Sequence, residues 1–309
     1  MRALIPTGHP GKLVAMDQDV DEPNPTPDQV VIEVEAFSIN RGETFLLQTP
    51  TPGWRPGKDI AGHVIRAATN GRGPAVGERV VAHGDHSGWA ERAAVSLDSV
   101  AILPDAVPLD AAAALPLAGL TALRLLRVAG PLSSRRVLLT GASGGVGHYL
   151  VELAAHQGAL VTAMTSTPER GERLHQLGAA DIVHDIASAS TPFDVVMEST
   201  GGDALMAALR AARAGGLVIW FGQASGIAPV LDFFDWDIPF GVTMHRFGYQ
   251  PPGSSDAADL ATLVRLVERG NLHPEIGLLQ DWAQAPQALE ALIHRQVRGN
   301  AVLTIDRVT

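Results

Sequence analysis

The chain has 309 residues, 46% of them hydrophobic and 18% charged, long enough for two domains and apolar enough to bury a core, which excludes a disordered or fibrous protein. Its 23 basic and 33 acidic residues leave a net charge of −10, which argues against nucleic acid and anionic lipid as partners. With Cys at 0, disulfides, iron–sulfur clusters, thiolate zinc sites and a cysteine nucleophile are excluded.

The first residues, Met1 to Pro10, carry no apolar core of a signal peptide. No stretch reaches the ~18 uninterrupted apolar residues of a membrane span, so the protein is expected in the cytoplasm. The first third reads as short strands punctuated by Pro, Gly, Asp and Asn, the texture of a barrel-like domain. Val30–Ala36, Gly77–Ala82 and Ala90–Val95 are its clearest candidates. Near residue 108 the texture turns helical over Ala111 to Val128, with Pro116 placed to break or kink the helix. Strand and helix then alternate. Strands are expected at Arg136–Thr140, Leu160–Met164, Asp181–Val183, Asp194–Glu198 and Gly216–Trp220. Helices are expected at Val146–Gln157, Pro168–Leu177 and Ala204–Ala214. Such alternation predicts parallel strands with crossover helices, an α/β class. The tail predicts helices at Ala257–Arg269 and Pro286–His294 and a last strand at Ala301–Ile305.

Between a strand and a helix stands Thr140-Gly141-Ala142-Ser143-Gly144-Gly145-Val146-Gly147. Aligned to the dinucleotide fingerprint it reads Ala142-x-Gly144-x-x-Gly147. Gly144 would let backbone approach a pyrophosphate, Gly147 would allow close helix–strand packing, and the helix start would offer N–H groups and partial positive charge. At the end of the next strand, where an acid would hold a ribose 2′-hydroxyl, stand Met164-Thr165-Ser166-Thr167, with Arg170 one turn later. Hydroxyls and an Arg suit a 2′-phosphate, so NADPH is expected over NADH. The plainer alternative is a capped helix start, with Ser166 or Thr167 as N-cap, Pro168 in the first turn and Arg170 solvated.

Five segments carry a resemblance over almost the whole chain: Ser38-Ile39-Asn40-Arg41-Gly42-Glu43, Pro56 to Gly62, Ala113 to Ala122, Gly141 to Gly147, and Leu177-Gly178-Ala179. With them the chain resembles the medium-chain dehydrogenase/reductase superfamily, in its zinc-independent quinone oxidoreductase (zeta-crystallin-like) branch. The resemblance implies a Rossmann doubly wound parallel sheet domain inserted into a GroES-like β-rich catalytic domain. The expected boundaries are 1–111 for the first part of the catalytic domain, 112–249 for the Rossmann domain and 250–309 for the return. It implies that Asn40 lies beside the nicotinamide, able to bond a substrate carbonyl as charge develops. It also implies that Thr121 contacts the carboxamide region, and that Phe221, Gly222, Gln223 and Ser225 belong to a loop over the nicotinamide. The cofactor set is completed by Ser143, Gly144, Gly145, Val146, Gly147, Thr165, Ser166 and Arg170.

At the places matching zinc ligands of zinc-dependent relatives stand Asn40, Lys58 and Ala118, so no metal is expected. His63, His83 and His86, with Asp85 between the last two, invite a metal reading, but the run His83 to His86 in a Gly-rich loop reads as a solvated turn. What remains is hydride transfer to an acceptor already electrophilic, a quinone or an α,β-unsaturated carbonyl. The region where NADPH-binding members often carry Tyr reads Ile182-Val183-His184-Asp185. Thr44-Phe45 stand where some quinone reductases carry Tyr. Tyr249 is the one candidate Tyr acid, against water. The Trp residues are expected to pack, with Phe233 to Trp236 as interface or pocket wall. A homodimer is expected. Two alternatives stay open: an enoyl reductase acting on a biosynthetic thioester, and a non-catalytic NADPH-binding protein.

Overall fold

A computed structural model describes residues 1–9, 11–190, 192–249 and 255–306. It divides into two compact units, Met1–Leu120 with Gly253–Thr309, and Thr121–Pro252. The first unit runs through β1 (Ala3–His9), β2 (Lys12–Asp17), β3 (Gln29–Ile39), α1 (Arg41–Gln48), β4 (Asp59–Arg66), β5 (Arg79–His83), β6 (Arg92–Ser96), β7 (Val100–Ile102) and α2 (Leu109–Ala113). Helix α3 (Pro116–Ala129) begins in it and continues in the second. The second unit follows with β8 (Arg136–Leu139), α4 (Gly145–His156), β9 (Leu160–Met164), α5 (Glu172–Gln176), β10 (Asp181–Val183), β11 (Phe193–Glu198), α6 (Asp203–Ala211), β12 (Ala212–Trp220) and β13 (Thr243–Arg246). The first unit is completed by α7 (Asp256–Glu268), β14 (Ile276–Asp281), α8 (Ala285–Ile293) and β15 (Asn300–Thr304).

In the first unit β3 is the hub of a seven-stranded sheet ordered β14-β15-β3-β4-β5-β7, with β6 also on β3. Its apolar run can be buried because three strands pair with it: Val302 lies opposite Ser38, Ile60 opposite Phe37 and Ala94 opposite Val31. Val30, Ile32, Val34 and Phe37 reach the core with Trp89, Leu289 and Leu303. Trp89 stacks on Phe37 at 5.7 Å and donates its indole N–H to Ser38 O at 3.1 Å, so the largest buried ring has its polar atom satisfied. Gly62 is fixed here by crowding, since a Cβ would stand 1.9 Å from Glu33 O across the β3–β4 pair. Pro116 opens α3, where its missing N–H has no helical partner to lose, and the chain turns between α2 and α3 as expected.

The second unit carries six parallel strands ordered β10-β9-β8-β11-β12-β13. Counted from β8 this is 3-2-1-4-5-6, the doubly wound order whose direction reverses between β8 and β11. Val137, Leu138 and Leu139 of β8 are buried, as an apolar run in the middle of a covered parallel sheet should be. The expected α/β class with a Rossmann sheet is borne out.

Three expectations need correction. The helix read over Ala204–Ala214 ends at Ala211, because Ala212 pairs with Phe193 and the following residues join β12. The helix read over Pro168–Leu177 is a 3-10 turn, Pro168–Arg170, then α5, separated at Gly171, where a Cβ would press on the Ile182 side chain at 2.9 Å. Trp236 does not pack into a core: it is 76% exposed, beside Phe234. No described helix is long and apolar enough to cross a membrane.

Candidate functional site

The second unit assembles the glycine-loop residues at the carboxyl end of β8, beside the reversal of strand order. Gly141 adopts φ +63°, open to glycine at little cost, and a Cβ there would lie 2.6 Å from Ser199 Oγ. Gly144 is the N-cap of α4, and its N–H is held by Gly141 O at 3.0 Å. Gly145, Val146 and Gly147 form the first turn, whose N–H groups have no partner within the helix and which carries no acid. A Cβ on Gly147 would stand 2.3 Å from Ala142 O and 2.6 Å from its carbonyl carbon. Only glycine lets α4 approach the loop this closely, as the fingerprint requires.

Ser143 and Arg170, separated by 27 residues, meet: Arg170 Nε donates to Ser143 Oγ at 2.9 Å. Thr167 occupies the N-cap position of the 3-10 turn with Pro168 in its first turn but makes no side-chain cap hydrogen bond, and Arg170 turns toward the loop rather than into solvent. Thr165 is buried and donates to Thr167 O at 2.9 Å, while Ser166 is exposed. His184 approaches Thr165 O with Nδ1 at 3.1 Å; a carbonyl only accepts, so Nδ1 carries the proton in that contact. Thus His184 joins the end of β9, in the region where the resemblance implies a Tyr in NADPH-binding members.

Phe221 to Ser225 leaves β12 and lies along the turn after β11. Phe221 N–H donates to Glu198 O, Ala224 N–H to Ser199 O and Ser225 N–H to Thr200 O, at 2.8–2.9 Å. Gly222 is needed because a Cβ would come within 2.8 Å of Ser199 O. Behind this turn is a residue the sequence reading passed over. Glu198 is fully buried, and its carboxylate accepts from Thr140 Oγ1 at 3.2 Å, Thr200 N–H at 2.5 Å and Gly201 N–H at 3.1 Å. Burial raises its pKa, against the pull of those donors. Through Thr140 it ties the start of the glycine loop to the Ser199–Gly202 turn. Thr121 is buried on α3, and Tyr249 lies under the Arg124 guanidinium, 5.2 Å from the ring centroid, with its carbonyl accepting from Arg124 at 3.2 Å.

In the first unit Asn40 is the N-cap of α1, with extended backbone (φ −107°, ψ 147°) and a half-buried side chain. Its backbone N–H donates to Glu43 Oε2 at 3.0 Å, and Gly57 N–H donates to Glu43 Oε1 at 3.0 Å. Its amide nitrogen donates to Asp59 Oδ2 at 2.7 Å. Glu43 and Asp59 were also missed as site residues. Burial, and then the neighbouring Asp59 charge, push the Glu43 carboxyl up to about 8, against the two backbone N–H groups that favour its ionised form. Thr44 is buried and Phe45 exposed on α1.

The histidines do not converge. His83 bonds Asp59 at 2.7 Å, His63 bonds Glu35 at 2.5 Å and His86 bonds Ser87 at 2.7 Å. Among the described residues no group of three or more His, Cys, Asp and Glu side chains could hold a metal ion. At the positions matching zinc ligands, Ala118 has no donor atom, Lys58 is a cation and the Asn40 amide nitrogen is taken by Asp59, so the donor set does not fit zinc.

Residues 26–104 match the family model described as alcohol dehydrogenase GroES-like domain, and residues 145–251 match that described as zinc-binding dehydrogenase. The chain is 32% identical over 288 residues to polyketide synthase GfsB of Streptomyces halstedii, an alignment covering 90% of this chain but only 5% of that much longer protein. It is 30% identical over 227 residues to the chloroplastic quinone-oxidoreductase homolog of Spinacia oleracea, covering 65% of this chain and 69% of that protein. The structure of Escherichia coli quinone oxidoreductase complexed with NADPH superimposes with a TM-score of 0.88 at 21% identity, over 98% of this chain and 99% of that one, a likeness of fold. On the two domain models in sequence order and the identity shared with the spinach homologue, the chain belongs to the medium-chain dehydrogenase/reductase superfamily, among its quinone oxidoreductase-like proteins.

Proposed function

We propose that this chain is an NADPH-dependent oxidoreductase that reduces a quinone or an α,β-unsaturated carbonyl. One observation carries the reading: a glycine cradle that a single Cβ at Gly147 would close, at the start of a helix with no acid in its first turn, with Arg170 drawn to Ser143 at its edge. The unit Thr121–Pro252 is then the dinucleotide-binding domain and the other unit the catalytic domain. The N–H groups of Gly145, Val146 and Gly147 would hold the pyrophosphate. Ser143, Thr165, Ser166 and Arg170 would hold the 2′-phosphate through hydroxyl and guanidinium donors. Thr121 and the Phe221–Gly222–Gln223 loop would face the nicotinamide. The bound cofactor supplies a hydride. Asn40 would donate to the acceptor's carbonyl oxygen as negative charge develops there. The proton donor in this reading is water or the Tyr249 hydroxyl, whose ring lies under the Arg124 guanidinium.

The alignment with a polyketide synthase over 90% of this chain favours a second reading, an enoyl reductase acting on a biosynthetic thioester. We also propose a homodimer. Phe233 (89% exposed), Phe240 (87%), Trp236 (76%) and Phe234 precede β13 at the sheet edge, whose four residues are all exposed. Four aromatic side chains of about 150–250 Å² each approach the roughly 800 Å² per partner of a standard interface. The deciding experiment is titration with NADPH and NADH, then loss of nicotinamide absorbance with 9,10-phenanthrenequinone and a simple enone. Turnover with NADPH is expected. Binding without turnover on either acceptor moves the assignment to the thioester or to a non-catalytic role, and absence of binding refutes the cofactor assignment.

A further inference from the structure

We propose that Asp59 is a positioning residue for Asn40, setting which end of its amide is offered to the substrate; this rests on the reductase reading above. Asp59 stands at the first residue of β4, fully buried. Its Oδ2 accepts from the Asn40 amide at 2.7 Å and from Ser38 Oγ at 2.8 Å. Its Oδ1 accepts from Leu117 N–H at 3.1 Å and lies 2.7 Å from His83 Nδ1. Four donors from β3, the head of α1, β5 and α3 therefore meet a carboxylate with about four lone-pair sites, two on each oxygen. A buried acceptor satisfied on every side has one orientation, and lowering any donor's share would leave a buried polar group unmet.

That fixed carboxylate in turn fixes Asn40. An ionised carboxylate only accepts, so the amide must turn its nitrogen inward; the flipped amide would oppose oxygen to oxygen. One N–H is thereby spent on Asp59. Among the described residues the second meets Ser38 Oγ at 3.4 Å, a long contact, while the Ser38 hydroxyl gives its own proton to Asp59. Asn40 thus keeps one weakly engaged donor whose direction is set by Asp59. A donor aimed before the substrate arrives needs little reorganisation when charge develops on a carbonyl oxygen. Without Asp59 the amide can present its oxygen instead, which repels that charge.

The test is a double-mutant cycle in kcat with NADPH and 9,10-phenanthrenequinone. Asp59→Asn, which retains the shape of the side chain but puts an NH2 against donors, is expected to lower kcat at least tenfold, with the NADPH Kd unchanged within twofold. In the Asn40→Ala background the same substitution is expected to cost less than twofold. His83→Ala, which removes the donor facing Oδ1, is expected to give a smaller loss of about threefold, equally absent in the Asn40→Ala background. It supplies the cycle if Asp59→Asn does not fold. Losses that multiply with that of Asn40→Ala, or kcat values equal to the native one, overturn the proposal. Native kcat in Asn40→Ala overturns instead the role of Asn40 in the underlying reading, and no turnover by the native chain overturns that reading itself.

Discussion

Glu43 is a neutral acid in a folded protein at the pH where free glutamate is charged, and this makes stability fall as pH rises. Its carboxyl is raised from about 4.5 to about 8 by burial first and by Asp59 second. Because the folded state holds this proton more tightly than the unfolded chain, the contribution is fully present below about 4.5. It is lost progressively as pH rises to about 8. At about 1.4 kcal/mol per pH unit, the whole window is worth on the order of 3–5 kcal/mol, and the span from about pH 5.5 to 7.5 roughly 2–3 kcal/mol. Glu43→Gln removes the titration while keeping the shape, and replaces one of the two oxygens that accept from Asn40 and Gly57. The variant is therefore expected to be the less stable protein at pH 5.5 and to close that gap, or reverse it, by pH 8. Urea unfolding across this range, compared between the two proteins, isolates Glu43 from the other groups that titrate. With m near 2 kcal/mol/M, the difference in midpoint is expected to change by about 1 M. Parallel pH profiles for the two proteins would refute the reasoning.

Other outcomes test the remaining parts. Gly147→Ala is expected to abolish measurable cofactor binding, and to destabilise by about 1–3 kcal/mol, because its Cβ meets backbone rather than a movable side chain; calorimetric titration with an unchanged Kd would remove the glycine-loop assignment. Arg170→Ala is expected to weaken NADPH by about 1.5–3 kcal/mol, the scale of a hydrogen bond to a charged group, while sparing NADH. Equal losses for both cofactors would end its phosphate role. Phe233→Asp with Phe240→Asp is expected to convert a dimer into monomer in sedimentation velocity, whereas a native protein already monomeric would refute the interface.

The parts legible in sequence are those where one local rule decides. Val137 to Leu139 is an apolar run ending at a glycine loop, and both the strand and α4 stand within a residue or so of their expected bounds. The loop was readable because Gly147 is required by its contact with Ala142, inside eight residues of chain. Illegible were β1, interrupted by Pro6, and β13, whose four residues are all exposed and carry no period of two. Ala212 and Arg213 are good helix formers, yet the parallel pairing with β11 decides their state. Asp59, Glu43 and Glu198 escaped for another reason. A lone acid beside an apolar strand looks like a solvated end, and what makes it a hub is its donors, which come from 19 to 58 residues away in the case of Asp59.

The pairing of β15 with β3 joins strands made far apart in time, since β3 ends at Ile39 and β15 begins at Asn300. Ile39 faces Ala301 across that ladder. At roughly 5–20 residues per second, on the order of ten to fifty seconds pass between synthesis of the two strands. During that interval β3, the hub of its sheet, lacks the partner for one edge and pairs only with β4 and β6. The six-stranded sheet has no such wait, since all its strands lie between residues 136 and 246. The nascent chain therefore carries a finished Rossmann sheet while the other unit keeps an open β edge, and exposure to chaperones and to mispairing is confined to the unit that holds Asn40.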